Sequence, residues 1–260
     1  MNKLLATITY SKKRENLLIF LRNGPKTLEE IRSSLSVTSA GIIPQIRKLE
    51  EVNLVRQESK TYALTEIGMI VAEIFNSFSK TIDIVEKYED FWTDHEIKAI
   101  PQHLLNRIYE LENSTLIESK MSEIFEPHKE FVDALTKSKK IRGISPIFHP
   151  QYPPFFLQLA KCGVETTLIL TRDVFNRAKK DYLEIMKKTL SLPGQRLYVS
   201  DEDIRVAGTV TDCFFSLSLF FKNGGYDSQK DLESSDSSAI KWGEDMFNHF
   251  LSKAKEIKKI

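Results

Sequence analysis

The stretch Thr27-Leu28-Glu29-Glu30-Ile31-Arg32-Ser33-Ser34-Leu35-Ser36-Val37-Thr38-Ser39-Ala40-Gly41-Ile42-Ile43-Pro44-Gln45-Ile46-Arg47-Lys48-Leu49-Glu50-Glu51 decides how the N-terminal part folds. Thr27 and Glu30 have the spacing of a capping box, so a helix starts there. Leu28, Ile31 and Leu35 keep helical spacing along it. Ser36-Val37-Thr38 ends this helix, and Thr38 or Ser39 caps the next. In the second helix Ile42, Ile46 and Leu49 share a face, while Gln45, Arg47 and Lys48 fall away from it. Two helices joined by a tight turn, the second presenting amides and cations, read as a helix-turn-helix.

Working outward, Val55 is followed by Arg56-Gln57-Glu58-Ser59-Lys60 and by Thr61-Tyr62-Ala63-Leu64, a strand, a basic turn and a strand. That is the wing of a winged helix. A helix fits the major groove, where amide and cationic side chains reach base edges, and a basic loop beside it neutralises phosphates. Base contacts are expected from Ser39, Gln45 and Lys48, with Thr38 at the cap beside them, and phosphate contacts from Arg47, Arg56 and Lys60. Pro44 cannot donate a helical hydrogen bond, so the second helix is expected to start later than Ser39, near Ala40 or Gly41, or to be kinked. Winged helices also serve as protein-interaction modules, and that alternative stays open.

Charge separates this head from the rest. Residues 1–65 hold eleven of the 37 Lys and Arg and six of the 36 acidic residues, a net +5; the remainder, with 26 basic and 30 acidic, carries −4. A basic head on a mildly acidic body is the footprint of a DNA-binding unit on one that does not bind DNA. No apolar run approaches the roughly 20 residues of a membrane helix, and the start of the chain has no signal-peptide pattern. Cys162 and Cys213 make neither a metal spacing nor a disulfide framework, and read as buried thiols in a reducing cytoplasm.

Upstream of the head, residues 8–22 read as one helix that Asn23-Gly24-Pro25 stops. Downstream, a periodic stretch from Thr65 to about Trp92 carries Ile67, Met69, Ile70, Ile74, Phe75 and Phe78 on an apolar face; it either pairs with its twin in a homodimer or packs on its own C-terminal domain. A helical stretch follows to about residue 118, and another helix over Ser119–Thr136. Then β-rich runs alternate with helices: Ile141–Ile144, Thr166–Leu170, Arg196–Val199, Ile204–Val210 and Phe214–Phe221, with Asp201-Glu202-Asp203 as a hairpin turn. A last helix spans roughly Ser237–Ala254, and Lys253–Lys259 reads as a solvated tail. The fold class is therefore α+β: a winged helix-turn-helix over 1–65, a long helical linker or dimerisation segment over 66–118, and a mixed α/β sensor-like domain over 119–260.

Further motifs carry a family resemblance: Phe91-Trp92-Thr93-Asp94-His95 with Ile100-Pro101, Gly143-Ile144-Ser145-Pro146-Ile147-Phe148-His149-Pro150, Ser216-Leu217-Ser218-Leu219-Phe220, Asn223-Gly224-Gly225-Tyr226-Asp227 and Ile240-Lys241-Trp242-Gly243-Glu244. With the head, they make the chain resemble, over nearly its whole length, the archaeal winged-helix regulators with a C-terminal methanogenesis-regulator (Fil-type) domain. The head alone also looks like the arsenic-repressor and multiple-antibiotic-resistance classes. The resemblance implies a methanogen-type transcriptional regulator, dimeric, with a C-terminal domain of unassigned ligand.

No catalytic constellation accompanies these motifs. The five histidines are far apart in sequence with no metal spacing, and neither a phosphate loop nor a Gly-x-Ser-x-Gly elbow is present; no cofactor is expected. Ligand-binding candidates are polar or aromatic groups near predicted strand or helix ends: His149, Tyr152, Arg172, Asp201, Tyr226, Asp227 and Trp242. The leading reading is a non-enzymatic cytoplasmic homodimer that binds double-stranded DNA and receives a small-molecule effector. The alternatives are an adaptor of the transcription machinery and a phosphodiesterase-like enzyme tethered by the head.

Overall fold

A computed structural model describes residues 3–119 and 128–260, which divide into two compact units, 1–82 and 83–260. In the first unit, α1 (Lys3–Thr9), α2 (Lys12–Phe20), β1 (Lys26–Thr27), α3 (Leu28–Leu35), α4 (Ser39–Glu50), β2 (Val55–Glu58) and β3 (Thr61–Leu64) precede α5 (Glu66–Lys87), within which the units divide. The single helix expected over 8–22 is instead two. Ser11 is extended (φ −155°, ψ 112°) and starts α2, while Thr7 and Thr9 turn their hydroxyls back onto the carbonyls of Lys3 and Leu5.

Thr27 and Glu30 form the capping box, the Thr27 amide donating to Glu30 Oε2 at 2.7 Å and the Glu30 amide to Thr27 Oγ1 at 3.2 Å. Ser36 ends α3 at a left-handed φ of 51°, and Thr38 caps α4 by accepting from the Gly41 amide at 3.2 Å. The expected late start is therefore corrected: α4 begins at Ser39 and includes Pro44. Pro44 and Ala40, whose carbonyl it leaves unpaired within the helix, are both exposed, so water takes the freed acceptor at little cost. Strands β1, β3 and β2 make an antiparallel sheet in that order, with Thr27 opposite Thr61 and Val55 opposite Leu64. Leu17, Leu18, Ile31, Ile42, Leu49 and Leu54 are fully buried at the centre.

Gly68 lets α5 lie against this core. A Cβ there would stand 1.9 Å from the Leu54 carbonyl oxygen, and a backbone atom has no rotamer to yield. Gly68→Ala is expected to cost the first unit roughly 1–3 kcal/mol, read as a lower urea midpoint by circular dichroism.

The second unit is built on a sheet ordered β11-β7-β6-β5-β8-β9-β10-β4. In chain order these strands are β4 (Thr115–Glu118), β5 (Lys140–Ser145), β6 (Glu165–Thr171), β7 (Gln195–Ser200), β8 (Val206–Thr211), β9 (Phe215–Leu219), β10 (Lys230–Ser234) and β11 (Lys255–Glu256). β5, β6 and β7 run parallel, and the other pairs are antiparallel. One sheet face carries Ile144, Ile169, Val206, Val210, Phe215 and Leu217 against the helix Ser237–Leu251, which contributes Trp242, Met246 and Phe247. The opposite face meets the helices Lys129–Lys137, Tyr152–Lys161 and Arg172–Leu190.

Several boundaries differ from expectation. Residues 97–118 do not form a separate linker: Ile100, Leu104, Ile108 and Leu111 are buried in the second unit's core, and Thr115–Glu118 pairs with β10. Of the helix expected over Ser119–Thr136, residues 120–127 lie outside the described residues. Asp201-Glu202-Asp203 is not a hairpin turn, because β6 and β5 stand between β7 and β8. The charged tail is not free: Lys255–Glu256 pairs with β7, and Ile257 and Ile260 pack near Leu197 and Val199, apolar residues the charge count hid. Cys162 and Cys213 are exposed rather than buried, at a helix end and in the β8–β9 turn. Among the described residues no helix is long and apolar enough to cross a membrane.

Candidate functional site

Each unit presents one candidate site. In the first, the residues buried along α4 are Ile42, Ile46 and Leu49, which leaves Ala40, Pro44, Arg47, Lys48 and Glu51 along the outward face. Arg47 and Lys48 are thus exposed, as read from sequence. Gln45 turns inward: its Oε1 accepts from Arg14 Nη1 at 2.7 Å and from Ser11 at 3.4 Å. Arg14, only 6% exposed, also donates to the Thr7 carbonyl, so the guanidinium ties α1, α2 and α4 together. The amide expected to read a base therefore has its oxygen engaged in holding the helix. Thr38 is likewise used as a cap, and Ser39 is half-buried beside it. On the hairpin Arg56 Nε pairs with Glu58 at 2.7 Å, and Lys60 is exposed at the tip.

In the second unit a cavity of about 210 Å³ lies over the sheet face opposite the Trp242 helix. Its floor is unusual for central strands. Gly143 and Ser145 on β5, Ala207 and Thr209 on β8, and Ser216 and Ser218 on β9 all point to this face. Ile144, Val206, Val210, Phe215 and Leu217 alternate with them to fill the other side. Small side chains on one face of adjacent strands leave the space that the cavity occupies. Phe131, Phe148, Tyr152 and Phe156 wall it from the helices and loops above.

One end is polar. Asp231 Oδ2 pairs with His128 Nε2 at 3.1 Å, and Asp231 Oδ1 accepts from Ser218. The hydrogen bond to Asp231 raises the His128 pKa against the opposing effect of burial. Burial, and then the Asp231 charge, push the Tyr152 phenol up to about 12 and the Tyr226 phenol higher still, so both keep their protons. Glu233, one pleat from Asp231, is pushed up to about 7, by burial first and by Asp231 second.

Of the seven expected ligand residues, His149, Tyr152 and Tyr226 line this cavity. The other four are placed elsewhere. Arg172 and Asp201 pair with one another at 2.8 Å on the surface. Asp227 is buried and bonded to His95. Trp242 is in the core on the far face, its Nε1 donating to the Leu104 carbonyl at 3.0 Å. Sequence reasoning missed His128 and Asp231, which no motif marks. It also passed over the floor, although Ser216-Leu217-Ser218-Leu219 alternates small polar with apolar residues and so announces a strand whose one face is not filled.

Comparison with known proteins bears on both units. Residues 2–83 match the N-terminal domain, and residues 124–253 the middle domain, of the methanogenesis regulatory protein FilR1 family. The chain is 25% identical over 261 residues to the methanogenesis regulatory protein FilR1 of Methanothrix harundinacea, covering 99% of this chain and 58% of that protein. The chain thus spans little more than half the length of this curated relative. Among solved structures, TrmBL2, an archaeal chromatin protein, aligns over 95% of this chain and 93% of its own at 14% identity, with a TM-score of 0.44. A phospholipase D family member, Nuc from Salmonella typhimurium, aligns over 56% of this chain and 98% of its own at 11% identity, with a TM-score of 0.40. Scores at this level do not establish a common fold.

Proposed function

The chain belongs to the methanogenesis regulatory protein FilR1 family, and from that premise we propose that it is a homodimeric, non-enzymatic transcriptional regulator acting in the cytoplasm. Its winged-helix head binds duplex DNA, and its second unit receives an effector. The observation that carries the reading is the outward face of α4: Arg47 and Lys48 stand exposed there, within residues 1–65, whose net charge is +5 and whose basic hairpin follows directly. Arg47, Lys48 and Lys60 are the phosphate and groove contacts in this account. Gln45 supports the helix from behind.

Dimerisation is supported by α5. Ile67, Ile70, Ile74 and Phe78 are 58%, 63%, 67% and 54% exposed, and their spacing places them on one stripe. An apolar stripe along a helix, with the opposite side packed on its own core through Ala72 and Phe75, is what a paired helix requires. Two heads held by such a helix would read a two-fold symmetric site.

The charge reading is tested by the double variant Arg47→Ala with Lys48→Ala. Each lost phosphate contact removes about 0.9 from the slope of log affinity against log salt, so the double variant is expected to bind DNA more weakly at low salt with a slope shallower by about 2. An unchanged slope would remove α4 from the interface.

A further inference from the structure

The cavity's shape and polarity define a ligand class, and this step rests on the reading of the second unit as the effector-receiving half. The lining runs from Leu197 on β7 to Asp231 on β10. In the sheet order, five strand intervals separate these two strands. At about 4.8 Å each the span is about 24 Å. A volume of about 210 Å³ drawn out over that length suits an extended chain better than a bulky ring system.

The two ends differ in chemistry. Toward β7 the cavity runs beneath the helix Arg172–Leu190, between Leu168 and Leu170 below and Ile185, Met186 and Leu190 above. That helix departs from helical geometry at Tyr182 (φ −134°, ψ 27°), and residues on both sides of the break, Val174 and Ala178 before it and Ile185, Met186 and Leu190 after it, line the apolar end. Toward β10 stand Tyr152, Tyr226, Ser218 and the His128–Asp231 pair. The pair compensates its own charges, and Asp231 is further satisfied by Ser218. Tyr152, holding its proton, offers a donor, whereas the Tyr226 hydroxyl is already hydrogen-bonded to Ser218. An anionic head would meet Asp231 with Glu233 behind it, and a cationic head would meet His128. At this end either would be stripped of water without gaining a free counter-charge; Arg196, which also lines the cavity, lies at the opposite, β7 end.

We propose that this cavity binds an amphipathic molecule with one hydrocarbon chain and an uncharged, hydrogen-bond-accepting head, the chain lying under Met186 and Leu190 and the head at the Tyr152 hydroxyl. Ala207 and Ser216 are small because the chain passes over them, and Gly143 makes room for Leu168, which borders the cavity.

The test is calorimetric titration of the full chain, without DNA, with 1-decanol below its solubility limit and with decanoate and decyltrimethylammonium below their micelle concentrations. The expected result is saturable binding of 1-decanol with both charged probes at least tenfold weaker. Ala207→Phe fills the floor and is expected to abolish 1-decanol binding. Tyr152→Phe is expected to weaken it about fivefold, the worth of one net hydrogen bond, while leaving the cavity open. Should Ala207→Phe fail to fold, Gly143→Ala must weaken binding instead, since a Cβ there would press on Leu168 Cδ2 at 2.8 Å. Absence of 1-decanol binding, equal affinity for the three probes, or indifference to both floor variants would overturn the proposal. Binding that leaves DNA affinity unchanged would refute the effector reading of the second unit while the ligand class stands.

Discussion

Replacing His95 by alanine is expected to destabilise the second unit by about 3–5 kcal/mol, the cost of removing one partner from a buried pair. His95 is wholly buried and Asp227 is 3% exposed, and the two meet at 3.0 Å. They are 132 residues apart in sequence. The second ring nitrogen bonds the Phe91 carbonyl at 2.7 Å, and the ring stacks on Phe221 with centroids 4.7 Å apart. The pair therefore fastens the segment after α5 to the β9–β10 connection. Alanine leaves a hole between Phe91 and Phe221 and strands one oxygen of a buried carboxylate.

The pH dependence identifies the mechanism. Burial alone would push the Asp227 carboxyl up, but the bonds from His95 and from the Gln229 and Lys230 amides hold it below the ordinary carboxylate value. A depressed folded-state pKa contributes stability above the unfolded value of about 3.9 and loses it as pH falls further. Without His95 the burial effect dominates, so the deficit of His95→Ala should be full at pH 7 and shrink toward pH 4 as Asp227 takes up a proton. The two tryptophans of the chain, Trp92 and Trp242, are both in this unit, so fluorescence unfolding in urea isolates its transition. A deficit independent of pH would reduce His95 to a packing residue.

The second large effect is expected from the double substitution Ile74→Asp with Phe78→Asp. Both side chains are more than half exposed in one chain, so the folded monomer loses little. In a helix pair the same positions would bury two carboxylates in each protomer without partners, at several kcal/mol per charge. Sedimentation should show a dimer becoming a monomer, and affinity for a two-fold site should fall at least a hundredfold, since each head then binds alone and the effective-concentration gain is lost. A double variant that stays dimeric would place the interface elsewhere.

These two cases also mark where the sequence was legible. Local signals carried the first unit. The Thr27–Glu30 box, the Thr38 cap and the spacing of Ile42, Ile46 and Leu49 each involve residues within one turn or one face, and the structure has them where the pattern places them. The inward turn of Gln45 was not legible, because its partners Arg14 and Ser11 are more than 30 residues away. In the second unit the alternating strands and helices were readable, but their order was not: β4 and β11, both short, take the two sheet edges through long-range pairing. His95, Asp227 and Trp242 illustrate the same limit. Asp227 and Trp242 read as ligand candidates and His95 only as part of a family motif, and each is spent on holding the fold. The residues at the polar end of the cavity, His128 and Asp231, meet only when the sheet and the helix after it are assembled.

The most direct test of the account is a mobility-shift titration of the purified chain on duplex DNA from its own upstream region, at two salt concentrations with excess nonspecific competitor. The account predicts a complex that survives the competitor and weakens steeply with salt, as a phosphate-anchored head requires. No complex even at low salt would contradict it.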